Sequence, residues 1–375
     1  MKKVVILYKS FPQYRLEFFN LLREDLKKHQ IDLVLVYGDY EYGGRGDNVS
    51  ADWAISRKNV NIPFFRGTLL WQPALKEIRD ADLVIVEQAS RLLINFYLIG
   101  RRFLRRRRFA FWGHGMDLKA SHKNILNVFK KLYSTRTDWW FAYTDGVKKR
   151  IESFGFPPEK ITVAHNAIDT KSLQHIFHQI TPEEKAATRA KYSIAGDEKV
   201  LIYCGALYKE KRLDLMVDAC DALASKGYHF KLLVVGGGKD EQFVREAAKT
   251  RSWLVMTGPL FQKQKALAFS VSDIFLLPGA IGLAVLDSFT FECPIITTRN
   301  KLHGPEFEYI ENGVNGLITG DGLDEYVNAV VSLIDNPAKL QQLKQHCADS
   351  AQQYTVENMV HRFSDGVREA LEQLG

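Results

Sequence analysis

The sequence predicts two doubly wound α/β domains in tandem. Short apolar runs alternate with segments of helical periodicity, and this alternation occurs twice, on either side of a polar stretch. The chain of 375 residues is also longer than one hydrophobic core usually supports. Alternating strands and helices imply a parallel sheet that is covered by helices on both faces.

The first domain is predicted from apolar runs that are bounded by polar or turn residues, as buried strands are. These runs are residues 4–8, 31–37, 83–87, 109–112, 139–143 and 161–164. Residues 15–29 and 123–134 have apolar side chains at helical spacing and are expected to be helices. The first run follows Met-Lys-Lys and is too short for the core of a signal peptide, so we expect a buried strand there.

The second domain is predicted after a polar, helix-rich stretch at residues 170–198, which has the pattern of a connection. The later strand candidates are residues 200–204, 231–235, 253–256, 274–277, 295–297 and 316–318, and residues 350–374 are expected to supply terminal helices. In two such domains the strand ends are expected to face each other across a cleft, where open α/β sheets bind ligands.

Composition narrows the class of protein. With 46% hydrophobic and 25% charged residues the chain is expected to fold in water, and it has no run of about 18 apolar residues that would span a bilayer. We therefore expect a soluble or peripheral protein. Cys204, Cys220, Cys293 and Cys347 are scattered without metal-ligand spacing, so we expect buried reduced thiols.

The positive charge of the chain is concentrated in one segment. The formal net charge is +7, and the basic segment contains Arg101, Arg102, Arg105, Arg106, Arg107 and Arg108. Such a run suggests an anionic partner: acidic lipid, nucleic acid or an acidic protein. Pairing of several arginines with acidic residues of the same domain is the alternative. Phe103 and Leu104 would add apolar contacts at a membrane.

A glycine-bearing turn at residues 278–284 follows a predicted strand and is expected to open a helix. Free backbone N–H groups at such a turn can hold an anion such as a diphosphate. Asp287 should lie about one and a half turns into the helix, where its carboxylate can accept hydrogen bonds from hydroxyls. An ordinary strand, turn and helix with a surface aspartate would show the same pattern.

This turn resembles the donor-binding signature of glycosyltransferase family 4, in which a Gly-Leu pair, here Gly282 and Leu283, precedes an acidic residue on the following helix. Further segments resemble motifs of that family in the same order, although the N-terminal ones match less strongly. They are residues 11–15, 112–115, 166–169, 205–214, 234–238 and 306–317.

The resemblance assigns expected roles on the donor side. Lys211, in a loop with Gly205, Lys209 and Arg212, would meet the donor phosphates, with a solvated surface lysine as the alternative. Gly236 would allow close approach to a ligand or serve a plain tight turn. Glu306 would bind donor hydroxyls or cap its own helix.

On the acceptor side the resemblance points to His114, which lies between two glycines after a predicted strand, and to Tyr14 and Arg15. An imidazole there could exchange a hydrogen bond with a sugar or phosphate oxygen. A histidine that satisfies loop carbonyls is the alternative interpretation.

Two positions depart from the family pattern. The family usually has two glutamates eight positions apart in the donor loop, and here those positions are Gly279 and Asp287. The first glutamate is missing, which leaves the donor sugar and the mechanism open. An arginine often found in the earlier loop is Ala206 here, so Lys209 or Arg212 would have to replace its charge.

The resemblance implies the GT-B fold, with two Rossmann-like doubly wound domains. The acceptor-side domain would be residues 1–170, the donor-side domain residues 190–355, and a last helix at 356–375 would return to the first domain. The implied reaction is transfer from a nucleoside-diphosphate sugar to a glycan or lipid-linked acceptor, with retention, without a bound metal, in cell-surface polysaccharide or lipopolysaccharide synthesis. The expected location is cytoplasmic, at the inner face of the cell membrane.

Three other functions stay open at this point. A sugar-nucleotide epimerase can share this architecture, and a non-catalytic sugar-nucleotide-binding subunit would explain the missing glutamate. Nucleic-acid binding is disfavoured because no aromatic platform accompanies the arginine run.

Overall fold

A computed structural model describes residues 1–39, 48–64, 67–104, 108–115 and 131–373. The chain divides into two compact units. Unit 1 comprises Met1–Ile168 together with Val356–Gly375, and unit 2 comprises Asp169–Thr355. Each unit is built around a parallel sheet, which confirms the predicted α/β class.

Unit 1 contains a seven-stranded parallel sheet and a separate hairpin. In chain order the strands are β1 (Lys2–Tyr8), β2 (Ile31–Tyr37), β3 (Ile55–Ser56), β4 (Val60–Phe64), β5 (Gly67–Trp71), β6 (Leu83–Glu87), β7 (Phe109–Gly113), β8 (Trp139–Ala142) and β9 (Ile161–Val163). The sheet order is β3-β2-β1-β6-β7-β8-β9, and β4 pairs with β5 outside that sheet.

The central strands of unit 1 are buried on both faces because helices cover the sheet. Every residue of β7 and β8 is buried, and Trp112, Trp139 and Trp140 are among the largest fully buried side chains. The first helices are α1 (Leu16–Lys28), α2 (Leu93–Phe103) and α3 (Asp145–Glu152).

Unit 2 contains a six-stranded parallel sheet with the order β12-β11-β10-β13-β14-β15. Its strands are β10 (Lys199–Cys204), β11 (Phe230–Val235), β12 (Leu254–Gly258), β13 (Ile274–Leu276), β14 (Ile295–Thr298) and β15 (Gly316–Thr319). Its helices are α4 (Lys171–His178), α5 (Pro182–Lys191), α6 (Leu213–Ser225), α7 (Glu241–Thr250), α8 (Gln262–Ser270), α9 (Val285–Thr290), α10 (Leu323–Ile334) and α11 (Pro337–Gln353).

The last helix, α12 (Val356–Gln373), belongs to unit 1 and packs against α1 and β9. Phe363 of α12 stacks on Phe141 of β8, with ring centroids 4.1 Å apart. Gly366 brings the helix close to β9: a Cβ atom added there would lie 2.2 Å from the Thr162 hydroxyl oxygen. The returning helix is therefore fitted to the sheet by an aromatic stack and by the lack of a side chain at Gly366.

All of the predicted strands are present, with ends shifted by a few residues. The sequence did not predict β3, β4 or β5, and β4 includes Pro63, a residue that argues against a strand. The stretch expected as a connection forms α4 and α5, which contact α8 within unit 2. Most of the helix expected at residues 123–134 lies outside the described residues. In the described ranges, no helix combines the length and apolar character needed to cross a membrane.

We expect Gly366→Ala to lower the free energy of unfolding by about 1–3 kcal/mol, because the added methyl group must displace Thr162. The Thr162 hydroxyl also accepts a hydrogen bond from the indole of Trp139 at 2.9 Å. The matched control is Gly100→Ala in α2, where an added Cβ meets nothing within 4 Å. Alanine should there stabilise the helix by up to about 1 kcal/mol. Equal stability changes for the two variants in urea unfolding would contradict this account of α12.

Candidate functional site

The candidate site lies at the carboxyl edge of the sheet of unit 2, where the strand order changes direction. β10 is followed along the chain by β11 on one side, whereas β13 pairs with β10 on the other side. Open α/β sheets bind ligands at such a change of strand order, beside the carboxyl ends of the strands. The predicted donor residues belong to the loops after β10, β11 and β13, to α9 and to the segment after β14.

The backbones of these loops touch each other. A Cβ atom added to Gly279 would lie 2.2 Å from the carbonyl carbon of Lys211, and one added to Gly236 would lie 1.9 Å from the carbonyl oxygen of Gly205. Gly236 also has a φ of 141°, which side-chain-bearing residues rarely adopt. Both glycines are thus required by loop packing. At position 279, where the family usually has glutamate, this backbone arrangement has no room for a side chain.

Lys211 is enclosed by the same contact. Its side chain is buried, and its Nζ donates a 2.5 Å hydrogen bond to the carbonyl oxygen of Ala280. The N–H of Ala280 in turn donates to the carbonyl oxygen of Glu210 at 2.7 Å. Lys211 is therefore not the solvated surface lysine that the sequence left open, since its ammonium group points into the turn after β13.

The other basic residues of this loop differ from Lys211. Lys209 is exposed. Arg212 forms an ion pair with Asp321, with 2.7 Å between Nη1 and Oδ1. Lys209 and Arg212 are the two residues expected to replace the missing arginine charge. Arg212 is thus ion-paired with a residue of the segment after β15.

Three consecutive N–H groups are available in the turn that leads to α9. In the described part of the chain, the N–H groups of Gly282, Leu283 and Ala284 have no hydrogen-bond acceptor. The buried carboxylate of Glu306 is close by, since its Oε2 lies 3.8 Å from the position of a Cβ on Gly282. Donor groups, the Lys211 ammonium and a carboxylate therefore share one small region.

His303 is a residue of this region that the sequence did not predict. Its Nδ1 accepts a hydrogen bond from the N–H of Ile281 at 3.1 Å, so Nε2 carries the proton and donates to the carbonyl oxygen of Thr298 at 2.7 Å. Burial lowers the pKa of His303, which favours this neutral form. The ring also stacks on Phe307, with centroids 4.1 Å apart. His303 fixes the turn that bears the free N–H groups.

Asp287 has a buried partner that the sequence did not predict either. α9 begins at Val285 and not directly at the glycine turn, so Asp287 is its third residue, nearer the turn than expected. Its Oδ1 lies 2.6 Å from Nζ of Lys265, and 11% and 18% of the two side chains are exposed. Burial disfavours the charged form of Lys265, but the Asp287 carboxylate outweighs this effect and raises the pKa of the lysine.

A signal for Lys265 was present in the sequence. Lys265 lies three and four positions before Ala268 and Phe269, which are buried, so it falls on the inward face of α8. A lysine on such a face requires a compensating charge. Burial also raises the pKa of the neighbouring Cys204 thiol to about 12, so this thiol stays neutral beside the ion pair.

The described residues contain no group of three or more His, Cys, Asp or Glu side chains placed to hold a metal ion. The polar groups of the site are the ones already described: the Lys211 ammonium, backbone N–H groups and the carboxylates of Asp287 and Glu306.

The predicted acceptor-side residues lie in unit 1 and differ in exposure. Tyr14 is 38% exposed, and His114 is exposed with its ring 4.6 Å from the ring of Tyr143. Arg15 is only 1% exposed, and its guanidinium donates to the Asn166 amide oxygen at 2.6 Å. Arg15 is thus a core cation, whereas Tyr14 and His114 are at the surface.

The arginine run is described only in part. Arg102 forms an ion pair with Asp138 at 2.6 Å, Arg101 lies 5.9 Å from the centre of the Tyr97 ring, and Arg108 is exposed. Arg105, Arg106 and Arg107 lie outside the described residues. The alternative interpretation of the run was that its arginines pair with acidic residues of the same domain. Arg102 does so.

We expect Lys265→Met to lower the free energy of unfolding by about 3 kcal/mol, because it leaves the Asp287 carboxylate buried without its cation. The double variant Lys265→Met/Asp287→Asn should recover much of this loss. Lys263→Met is the matched control in the same helix: Lys263 pairs with Glu184 at the surface, and its loss should cost less than about 1 kcal/mol. Equal losses for the two single variants in chemical denaturation would contradict a buried ion pair.

Comparison with known families gives two matches. The model of glycosyl transferases group 1 matches residues 184–353, and the model of glycosyltransferase family 4 matches residues 37–172.

Curated relatives are distant and partial. A Salmonella typhimurium protein, provisionally named a colanic acid biosynthesis glycosyltransferase, is 24% identical over 218 residues, which are 54% of this chain and 49% of that protein. The alpha-galactosylglucosyldiacylglycerol synthase of Streptococcus pneumoniae is 21% identical over 220 residues, 56% of this chain and 55% of the synthase. The chain spans about half the length of these relatives.

Among solved structures, Anabaena HepE in complex with UDP has a TM-score of 0.70 and 15% identity, with 98% of this chain and 100% of HepE covered. HepE has also been solved with UDP-glucose. The shared fold extends over nearly the whole chain, and the two family models cover most of each half. This protein therefore belongs to the glycosyltransferases of the family 4 type, with the GT-B fold.

Proposed function

We propose that this protein transfers a sugar from a nucleoside-diphosphate donor, bound in unit 2, to a glycan or lipid-linked acceptor of a cell-surface polysaccharide. One observation carries the proposal: the turn after β13 brings the Lys211 ammonium and the free N–H groups of residues 282–284 together with the Asp287 carboxylate. The ammonium and the N–H groups suit the anionic phosphates of a nucleoside diphosphate, and the carboxylate suits its hydroxyl groups.

The leaving diphosphate gains negative charge as its bond to the sugar breaks, and groups aimed at that charge lower the barrier. Lys211 supplies a cation, since its bond to the neutral Ala280 carbonyl can be exchanged for a stronger one to a phosphate oxygen. The N–H groups of Gly282, Leu283 and Ala284 supply fixed dipoles. With these charges in place we propose that transfer needs no bound metal.

The carboxylates of the site suit the hydroxyl groups of the donor. Lys265 holds Asp287 through Oδ1, so Oδ2 can accept a hydrogen bond from a ribose hydroxyl. Glu306, beside the Gly282 turn, can accept from a hydroxyl of the donor sugar. In unit 1, the exposed His114 and Tyr14 are the proposed contacts of the acceptor.

The names of relatives support the finer parts of this proposal. HepE binds UDP and UDP-glucose, which supports a nucleotide-sugar donor. The Salmonella relative is assigned to colanic acid biosynthesis, and the Streptococcus relative makes a glycolipid, which supports a polysaccharide or lipid-linked acceptor. Retention of the anomeric configuration follows from the family resemblance, and NMR spectra of the product test it.

A panel of nucleotide sugars, followed by thermal unfolding, tests the donor. A true donor raises the melting temperature because it binds only the folded protein. Incubation with that donor and candidate acceptors should then yield a glycosylated product. Conversion of the donor sugar without any acceptor would indicate an epimerase, and binding without any turnover would indicate a non-catalytic subunit; either result contradicts the proposed transfer.

We expect Asp287→Ala to weaken donor affinity about ten- to a hundredfold, because a charged hydrogen bond is worth about 1.5–3 kcal/mol. This variant also leaves Lys265 unpaired, so the same measurement is made in Lys265→Met/Asp287→Ala, which removes both charges. Titration calorimetry with the identified nucleotide sugar measures the affinity. Unchanged affinity in both folded variants would remove Asp287 from the donor site.

We expect Lys211→Ala to lower kcat by roughly a hundredfold, with a smaller change in donor affinity, since the ammonium acts mainly on the departing diphosphate. Lys226→Ala is the control, because Lys226 is an exposed lysine at the end of α6. Steady-state kinetics at saturating acceptor measure the effect. A wild-type kcat in folded Lys211→Ala would show that this lysine has no part in the reaction.

Peripheral attachment to the inner face of the cell membrane completes the proposal. The positive charge of the arginine run would attract anionic lipid, and an enzyme held at that surface meets a lipid-linked acceptor in two dimensions. Arg108 is exposed, which suits contact with lipid, whereas Arg102 forms an ion pair with Asp138.

A further inference from the structure

The β4–β5 hairpin of unit 1 has an unusual distribution of apolar side chains. Residues that pair directly across the two strands lie on the same face of the hairpin. Val60 pairs with Trp71, Ile62 with Leu69, and Phe64 with Gly67. One face of the hairpin is therefore built from large apolar side chains.

The opposite face of the hairpin is the one that is anchored. Leu70 pairs with Asn61 on that face, is 4% exposed, and forms a bridge with Leu92 at the start of α2. Its N–H donates to the carbonyl oxygen of Arg91 at 2.8 Å. Because Leu70 faces the body of unit 1, the face with Val60, Ile62 and Phe64 is directed outward.

The exposures agree with that orientation. Val60 is 48%, Ile62 39% and Phe64 54% exposed. Single exposed apolar residues are common on soluble proteins, but a contiguous row on one strand marks an interaction surface.

Basic residues border this apolar face. The Trp71 ring contacts the Tyr97 ring of α2 at 6.5 Å between centroids, and the Arg101 guanidinium lies 5.9 Å from the centre of the same Tyr97 ring. Arg91, at the base of the hairpin, and Lys58, two residues before β4, are both exposed. The nearby acidic residue Glu77 is already paired with Arg57 at 2.5 Å.

We propose that the β4–β5 hairpin is a membrane-insertion element: Val60, Ile62 and Phe64 enter the headgroup boundary of an anionic bilayer while Lys58, Arg91 and Arg101 bind lipid phosphates. Exposed apolar side chains beside cations, with Trp and Tyr between them, are the combination that a bilayer interface accommodates. A purely electrostatic contact through the arginine run would not need the outward apolar row.

The hairpin is well placed for an enzyme that takes its acceptor from a membrane. Its anchor at Leu92 follows β6, at the carboxyl edge of the unit 1 sheet. Tyr14 follows β1 and His114 follows β7 at this same edge. The insertion deepens the membrane attachment of the proposed function, and its link to an acceptor rests on the proposed sugar transfer, whereas insertion itself does not depend on that transfer.

Vesicle co-sedimentation tests the insertion, with phosphatidylcholine vesicles that contain or lack phosphatidylglycerol. Wild-type protein should bind the anionic vesicles, and Ile62→Ser/Phe64→Ser should bind them about tenfold or more weakly, since the buried apolar area is lost. Phe243→Ser is the matched control: Phe243 is a 45% exposed phenylalanine in unit 2, and its loss should leave binding unchanged. Arg91→Gln/Arg101→Gln should weaken binding and reduce its dependence on salt.

Fluorescence gives a direct measure of depth. Brominated lipids should quench part of the tryptophan emission of vesicle-bound protein, and Trp71→Phe should remove that part. Thermal unfolding of each variant confirms that it is folded.

Equal vesicle binding of wild type and folded Ile62→Ser/Phe64→Ser would overturn the proposal. So would a wild type that ignores vesicles but forms a dimer that Ile62→Ser/Phe64→Ser dissociates, since the hairpin would then be an interface between two copies. Wild-type insertion without any sugar transfer would instead contradict the proposed function and leave the insertion element standing.

Discussion

The contact between the backbones at Gly279 and Lys211 determines most of the candidate donor site. Position 279 cannot carry a side chain because the loop after β10 occupies that space. The same approach allows the Lys211 ammonium to reach the Ala280 carbonyl and the Ala280 N–H to reach Glu210. With glycine at position 279 the two loops meet directly, and a cation and backbone hydrogen bonds hold the turn. His303 completes it by accepting the N–H of Ile281, and the next three N–H groups have no acceptor among the described residues.

Two buried cations show how differently the units neutralise charge. In unit 2, Lys265 is paired with Asp287, a carboxylate of the proposed donor site, so the stability of the pair and the orientation of Asp287 are linked. In unit 1, Arg15 donates to Asn166 and lies 5.1 Å from the centres of the Tyr14 and Trp112 rings. Rings and an amide are weaker partners than a carboxylate, but a guanidinium tolerates them because its charge is delocalised. Arg15 thus joins β1, the segment after β9 and the neighbourhood of α12 in one polar contact inside an aromatic core.

The chemistry of the two units is correspondingly divided. Unit 2 carries the groups proposed to bind the phosphates and hydroxyls of a nucleotide sugar. Unit 1 carries exposed aromatic and imidazole groups at its carboxyl edge and an outward apolar hairpin bordered by cations. The proposed lipid-linked acceptor would require such a combination, since its glycan must be held by polar groups while its lipid stays in a bilayer.

The amino-acid sequence determined the fold of this protein because strand periodicity is a local property, and every predicted strand of both sheets is present. Four donor-side motifs in order also indicated the family. Gly236, Gly279 and Lys211, which the sequence singled out, lie where the loops of unit 2 pack together, and their roles with a ligand stay predictions. Only the tertiary structure decided the contacts between segments that are distant in the chain. Lys265 lies 22 positions before Asp287 and His303 lies 22 after Ile281, so neither partnership has a local pattern. Three further features likewise depend on the neighbours that pack on each side, and the sequence has no short-range pattern for these neighbours. They are the burial of Arg15, the lack of room at Gly279 and the outward face of β4.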